Sequence, residues 1–173
     1  PADNVTNFEG IQFLVENPYW EGAKISLYSA GEESIASMPN IKVGKFITQV
    51  ILQNIEVEDI DLSNATDLRS AWVQNNPALQ KLDLSYSTIW GQGDKETEGN
   101  GTYGSSLMVL GCPILKEIKL PEKNELKAYR IDIECLDALE TFDMSNVKMV
   151  AELSIGDLNK DFNLVYPELT IFY

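Results

Sequence analysis

An apolar frame written L-x-x-L-x-L recurs through this sequence, and its period restricts what the chain can become. Within Cys112–Met144 the frame is filled by Leu115, Ile118 and Leu120, and again by Leu139, Phe142 and Met144. Cys112 and Cys135, 23 positions apart, stand just ahead of the two frames. Upstream, FITQVILQN ends at Asn54 and LRSAWVQNN ends at Asn76, a step of 22. That step aligns Phe46 with Leu68, Val50 with Trp72 and Asn54 with Asn76. The frames that follow are Val57, Ile60, Leu62 and Leu79, Leu82, Leu84, and Ile35 with Met38 fit a degenerate earlier copy. Repetition at roughly 20–29 residues in this frame is the signature of leucine-rich repeats. One such unit cannot bury its own apolar face, so neighbouring units must stack.

Stacking defines columns. One is Val57, Leu79, Leu115, Leu139 and Leu169; a second is Ile60, Leu82, Ile118, Phe142 and Phe172; a third is Asn54, Asn76, Cys112 and Cys135. The fold class this predicts is a β-rich leucine-rich-repeat solenoid of the α/β class, right-handed. Residues 1–45 read as an irregular N-terminal cap or degenerate first repeat, with a separate small β domain as the alternative. Residues 46–173 carry the repeats. From Asn76 to Cys112 the step widens to 36, which places an inserted loop at 90–104, the Gly-rich stretch WGQGDKETEGNGTYG. The chain's last rung is predicted at YPELTIFY, whose apolar end motivates weak self-association as one reading.

The unit CPILKEIKLPEKNELKAYRIDIEC, Cys112 to Cys135, resembles the BspA-type leucine-rich repeats of bacterial surface proteins. The likeness extends more weakly over residues 46–173. The chain lacks that family's I-G-x-x-A-F stretch, and two units have Asn in place of Cys. The resemblance implies a secreted or surface-anchored protein, not an enzyme, that adheres to extracellular proteins, other cells or glycans. It carries over no ligand residue, because the repeats share framework positions only.

Charge and composition narrow the partners. Acidic residues number 27 against 13 basic ones, a formal net charge of −14. Such a balance disfavours nucleic acid and anionic membrane surfaces, which both recruit Lys and Arg. No apolar run approaches the roughly 20 residues of a spanning helix. The chain opens on Pro1, consistent with removal of a signal segment and an extracellular location. Histidine is absent, which removes the usual general base and every His-containing zinc site. No catalytic, cofactor or metal residue is assigned; acidic pairs such as Glu56 and Glu58 are the only opening for hydrolytic chemistry.

Two surfaces are candidates for a partner, expected to be an extracellular protein or a glycan. The first is the acidic column Asp61, Asp83 and Asp143, interrupted by Lys119 and bordered by Glu58, Asp59 and Glu140. The phrases DLS, DLS and DMS repeat there. Like charges one rung apart repel, and a solvated face, a contact surface or a calcium site would each answer that repulsion. The second is the inserted loop, with Trp90 and Tyr103 as aromatic anchors; an inert insertion is the alternative. Its GNGTYG lacks the preceding strand and following helix of a nucleotide fingerprint. Cys112 and Cys135 are expected at equivalent places on adjacent rungs, either bonded or packed as free thiols.

Overall fold

The computed structural model describes residues 9–11, 23–29, 35–92, 105–123 and 125–166. Six long strands, β1 (Ala23–Tyr28), β4 (Ile47–Gln53), β7 (Ser70–Gln74), β9 (Ser106–Leu110), β11 (Leu126–Leu136) and β13 (Val147–Leu158), form one sheet in that order. Every neighbouring pair is parallel. Short strands lie between them: β2 (Ala36–Ser37), β3 (Ile41–Lys42), β5 (Ile55–Glu56), β6 (Ile60–Asp61), β8 (Lys81–Asp83), β10 (Glu117–Lys119), β12 (Thr141–Asp143) and β14 (Asn163–Val165). They pair in parallel as well, β2 with β5, β3 with β6, β8 with β10 and β12 with β14. A parallel sheet whose strand order follows the chain is a solenoid, each coil lying one rung above the last. Among the described residues there is no helix. Short strands and turns occupy the side where an α/β repeat would carry helices.

The predicted apolar columns on the short-strand side are buried. Val57, Leu79, Leu115 and Leu139 are at most 1% exposed, and Leu82 and Phe142 are equally hidden. Leu82 pairs with Ile118. After Phe142 the described column continues to Leu164 of β14, eight residues ahead of the expected Phe172; residues 167–173, with Leu169 and Phe172, lie outside the described residues. The degenerate early copy is also displaced. Ile41 pairs with Ile60, and Ile35 is 42% exposed.

On the long sheet the register differs from the predicted one by a single residue. Val50 pairs with Ala71 and Ile51 with Trp72, a step of 21 rather than 22. Because side chains alternate along a strand, a slip of one exchanges the two faces. The inward columns are Ile25–Val50–Ala71–Leu107–Ile131–Leu153 and Leu27–Leu52–Val73–Val109–Ile133–Ile155.

At the C-terminal end of five of the six long strands, β4, β7, β9, β11 and β13, stands a residue with positive φ, where the chain turns toward the short-strand side. The column is Asn54 (56°), Asn75 (53°), Gly111 (63°), Cys135 (55°) and Asp157 (48°). Asn, Asp and Gly are the residues that tolerate this left-handed backbone best. Asn75 Nδ2 donates to Asn54 Oδ1 at 2.8 Å, and Asn54 Nδ2 donates to the Ser29 carbonyl at 3.1 Å. The two cysteines are therefore not equivalent. Cys135 sits in the exposed left-handed column, Cys112 one position further on in the core, and both are free thiols.

Trp90 is a core residue, 0% exposed. Its Nε1–H donates to the Ser106 carbonyl at 3.3 Å, and its backbone N–H donates to Ser87 Oγ at 2.9 Å. The coil that accommodates the insertion uses Trp90 to fill its interior. An aromatic beside a Gly-rich loop is as readily the loop's inner anchor as its outer tip.

Candidate binding surfaces

The acidic column exists, and its chemistry is mostly internal. Asp61, Asp83 and Asp143 each accept a hydrogen bond from the backbone N–H two residues on: Ser63 at 2.8 Å, Ser85 at 3.0 Å and Ser145 at 2.8 Å. This is the Asx turn, in which a short carboxylate replaces a backbone acceptor as the chain leaves a strand. The repeated DLS and DMS phrases are thus the turn itself.

The carboxylates of Asp61 and Asp83 also meet lysines. Lys42 lies 3.3 Å from Asp61; Lys81 lies 3.1 Å from Asp83 and 3.3 Å from Glu117; Lys119 lies 3.1 Å from Glu117. Asp61 is held below its ordinary pKa by its hydrogen bonds from Ser63, with Lys42 adding to the effect. Burial pushes Asp83 up, but Ser85 and Lys81 outweigh it and the net shift is downward. Asp143 is lowered by Ser145. The repulsion expected along this column is relieved by the chain's own cations and N–H groups.

Asp59, Asp61 and Asp83 do converge. With Lys81, Tyr86, Ile60 and Leu62 they line a shallow cavity of about 180 Å³. Glu58 is exposed beside it. Asp143 lies on β12, beyond Lys119 of β10, and does not line it. Among the described residues no group of three or more His, Cys, Asp or Glu is arranged to hold a metal ion. Tyr103 lies outside the described residues, and Trp90 is buried, so the aromatic loop surface has no described anchor.

A second surface escaped the sequence reading. On the outer face of the long sheet, β4, β7 and β9 present three columns: Gln49–Ser70–Ser106, Ile51–Trp72–Met108 and Gln53–Gln74–Leu110. None of these nine residues is charged, although charged residues make up 23% of the chain. The flanking amides are ordered across strands: Gln53 Nε2 donates to Gln74 Oε1 at 3.1 Å, and Gln49 Nε2 to Ser70 Oγ at 3.5 Å. Charge returns on β11 and β13. There Arg130 bonds Asp132 Oδ2 at 2.7 Å and lies 3.8 Å from Glu152. Asp132 strengthens the proton affinity of the Arg130 guanidinium through that bond.

Three buried side-chain polar atoms among the described residues lack a hydrogen-bond partner: Trp72 Nε1, Asn76 Nδ2 and Asp132 Oδ1. Each such atom costs about 1–3 kcal/mol of desolvation. Asn76 points inward, where its Oδ1 accepts from the N–H groups of Ala78 and Leu79 at 3.1 and 3.2 Å. The other two lie on one outward column, since Trp72 pairs with Met108 and Met108 with Asp132.

Comparison of the chain with protein-family models, with curated proteins and with solved structures finds no match in any of the three.

Proposed function

We propose that this chain is a non-enzymatic binding module displayed outside the cell, and that it holds an extracellular protein or glycan against its solenoid surface. The single observation that carries the reading is the uncharged field of side chains around Trp72 on a chain with a net charge of −14. An acidic surface keeps a protein dispersed. A partly apolar, amide-bordered interruption of that surface is what a contact site requires. The parallel solenoid and the Cys112–Cys135 unit support assignment to right-handed leucine-rich repeats of the BspA kind. The secreted, adhesive role follows from that likeness.

The test is binding of the purified chain to a panel of matrix proteins and glycans, with and without Ca²⁺. Two variants accompany it, Gln53→Glu with Gln74→Glu on the sheet face and Asp61→Asn with Asp83→Asn and Asp143→Asn on the acidic face. Binding lost only in the first pair supports the reading as stated. Binding lost only in the second moves the site to the cavity lined by Asp59, Asp61 and Asp83.

A specific observation favours a second reading, that of a spacer segment that pairs through its final rung. β13 pairs only with β11 among the described strands. Its inward Leu153 is 44% exposed, where Ile131 and Leu107 on the preceding rungs are 0%. Sedimentation that stays monomeric at millimolar concentration would remove this reading.

A further inference from the structure

We infer that the outer face of the long sheet is a subsite for a neutral glycan, with Trp72 as the stacking platform and Asp132 as the hydroxyl acceptor. The inference rests on the reading of the chain as a binding module and adds the ligand's chemical class. The two outward atoms without partners differ in kind: Trp72 Nε1–H can only donate, and an ionised Asp132 Oδ1 can only accept. They stand two rungs apart on one column, roughly 10 Å at the usual strand spacing. A ligand that satisfies both must carry donors and acceptors along its length. Met108 lies between them and Ile51 on the far side of Trp72, an apolar stripe along the column, so the same ligand must also offer an apolar surface. A chain of pyranose rings meets these demands, because each ring has a C–H face and an equatorial belt of hydroxyls that both donate and accept.

Charge selects against the alternatives. The nine side chains on β4, β7 and β9 include no ionised group, so neither a polyanion nor a basic peptide finds its counter-charge there. Asp132 is 5% exposed, and Arg130 holds its other oxygen in place. A carboxylate fixed in this way presents one oriented acceptor. Gln53 and Gln74 supply further amide groups beside the stripe. Both partnerless atoms are hidden from solvent, so a ring reaches them only as neighbouring side chains shift; Met108, unbranched and adaptable, stands on the rung between them.

The experiment titrates the chain with cellohexaose, maltohexaose, chitohexaose and mannohexaose, and with heparin as the anionic control. Calorimetry and tryptophan emission are read in parallel. At least one neutral hexamer is expected to bind and to shift the emission, with heparin inert. Trp72→Phe should abolish the emission change, leaving the buried Trp90 as a reporter of an intact fold, and weaken binding roughly tenfold. Asp132→Asn should weaken binding by about tenfold or more, while Asp61→Asn with Asp83→Asn leaves it unchanged. Undiminished binding in both Trp72→Phe and Asp132→Asn would overturn the inference. So would binding of a matrix protein without any neutral hexamer, which would leave the binding-module reading standing. No binding to either class would remove both.

Discussion

Gly111→Ala probes the left-handed column at the ends of five of the six long strands. Gly111 has φ 63°, a backbone that costs a non-glycine residue about 1–2 kcal/mol. An added Cβ would lie 2.6 Å from Asn75 Oδ1, with no other atom nearer than 3.7 Å. Asn75 must therefore rotate, and its 2.8 Å bond to Asn54 Oδ1 is lost, removing about 1 kcal/mol. The expected destabilisation is about 2–3 kcal/mol. In an Asn75→Gly background the second contribution is already absent, so the same change should cost only about 1–2 kcal/mol. Urea unfolding of the four proteins, followed by circular dichroism, gives the coupling directly. Cys135→Gly provides the opposite sign on the same column. Cys135 has φ 55° and an exposed side chain, so relief of strain should gain about 0.5–1 kcal/mol after glycine's extra chain entropy is subtracted. Equal costs for Gly111→Ala in the two backgrounds, or a destabilised Cys135→Gly, would refute the reasoning.

Leu82→Ala, at a position 1% exposed and paired with Ile118, should lose about 2–5 kcal/mol in the same urea assay; a loss below about 1 kcal/mol would mean that the short-strand column is not packed as described. Brief alkylation of the native chain should modify Cys135 alone, and slowly, because burial and then the acidic neighbours Asp157, Glu134 and Asp137 raise its pKa. Cys112, pushed up to about 11 by burial, should react only after unfolding; peptide mapping that finds both modified in the native protein would contradict this. Asp61, Asp83 and Asp143 have folded pKa values below the ordinary 3.8. Their stabilisation is present above 3.8 and is lost as pH falls through the lower folded values. Changing all three to Asn keeps each turn's acceptor but removes this dependence, so the variant's melting temperature should fall less than the parent's between about pH 5 and pH 2. An equal fall in both proteins would count against it.

The solenoid was legible because its short-strand side repeats strictly. Val57, Leu79, Leu115 and Leu139 are apolar for one reason, the rung above, and the frame around each is the same. The long sheet was harder to place. Ile51, Trp72 and Met108 point outward and are as apolar as the Val50, Ala71 and Leu107 beside them, so alternation does not announce which face is buried. The doublet Asn75-Asn76 compounded this, since Asn54 matches Asn75 by backbone conformation and Asn76 by count to the next frame. Val57 lies three positions after Asn54, but Leu79 lies four after Asn75. One coil is therefore 21 residues long on the sheet side and 22 on the other. A single repeat length cannot register both sides, and the resulting slip assigned equivalent places to Cys112 and Cys135, of which only Cys112 is buried.

The same contrast explains why Asp61, Asp83 and Asp143 were conspicuous and Trp72 and Asp132 were not. In a solenoid the residues that recur at every rung are those the backbone needs at every rung, and an Asx turn is such a need. A recurring Asp therefore points first to the framework. A ligand, by contrast, touches a stretch of rungs once, and different parts of it meet different rungs. The outward column Ser26–Ile51–Trp72–Met108–Asp132–Ser154 never repeats a residue type from one rung to the next. Its surroundings shift from neutral on β4, β7 and β9 to charged on β11 and β13. Non-recurrence on an outward column, combined with polar atoms that the fold leaves without partners, marks the positions at which this repeat departs from self-packing and addresses something outside itself.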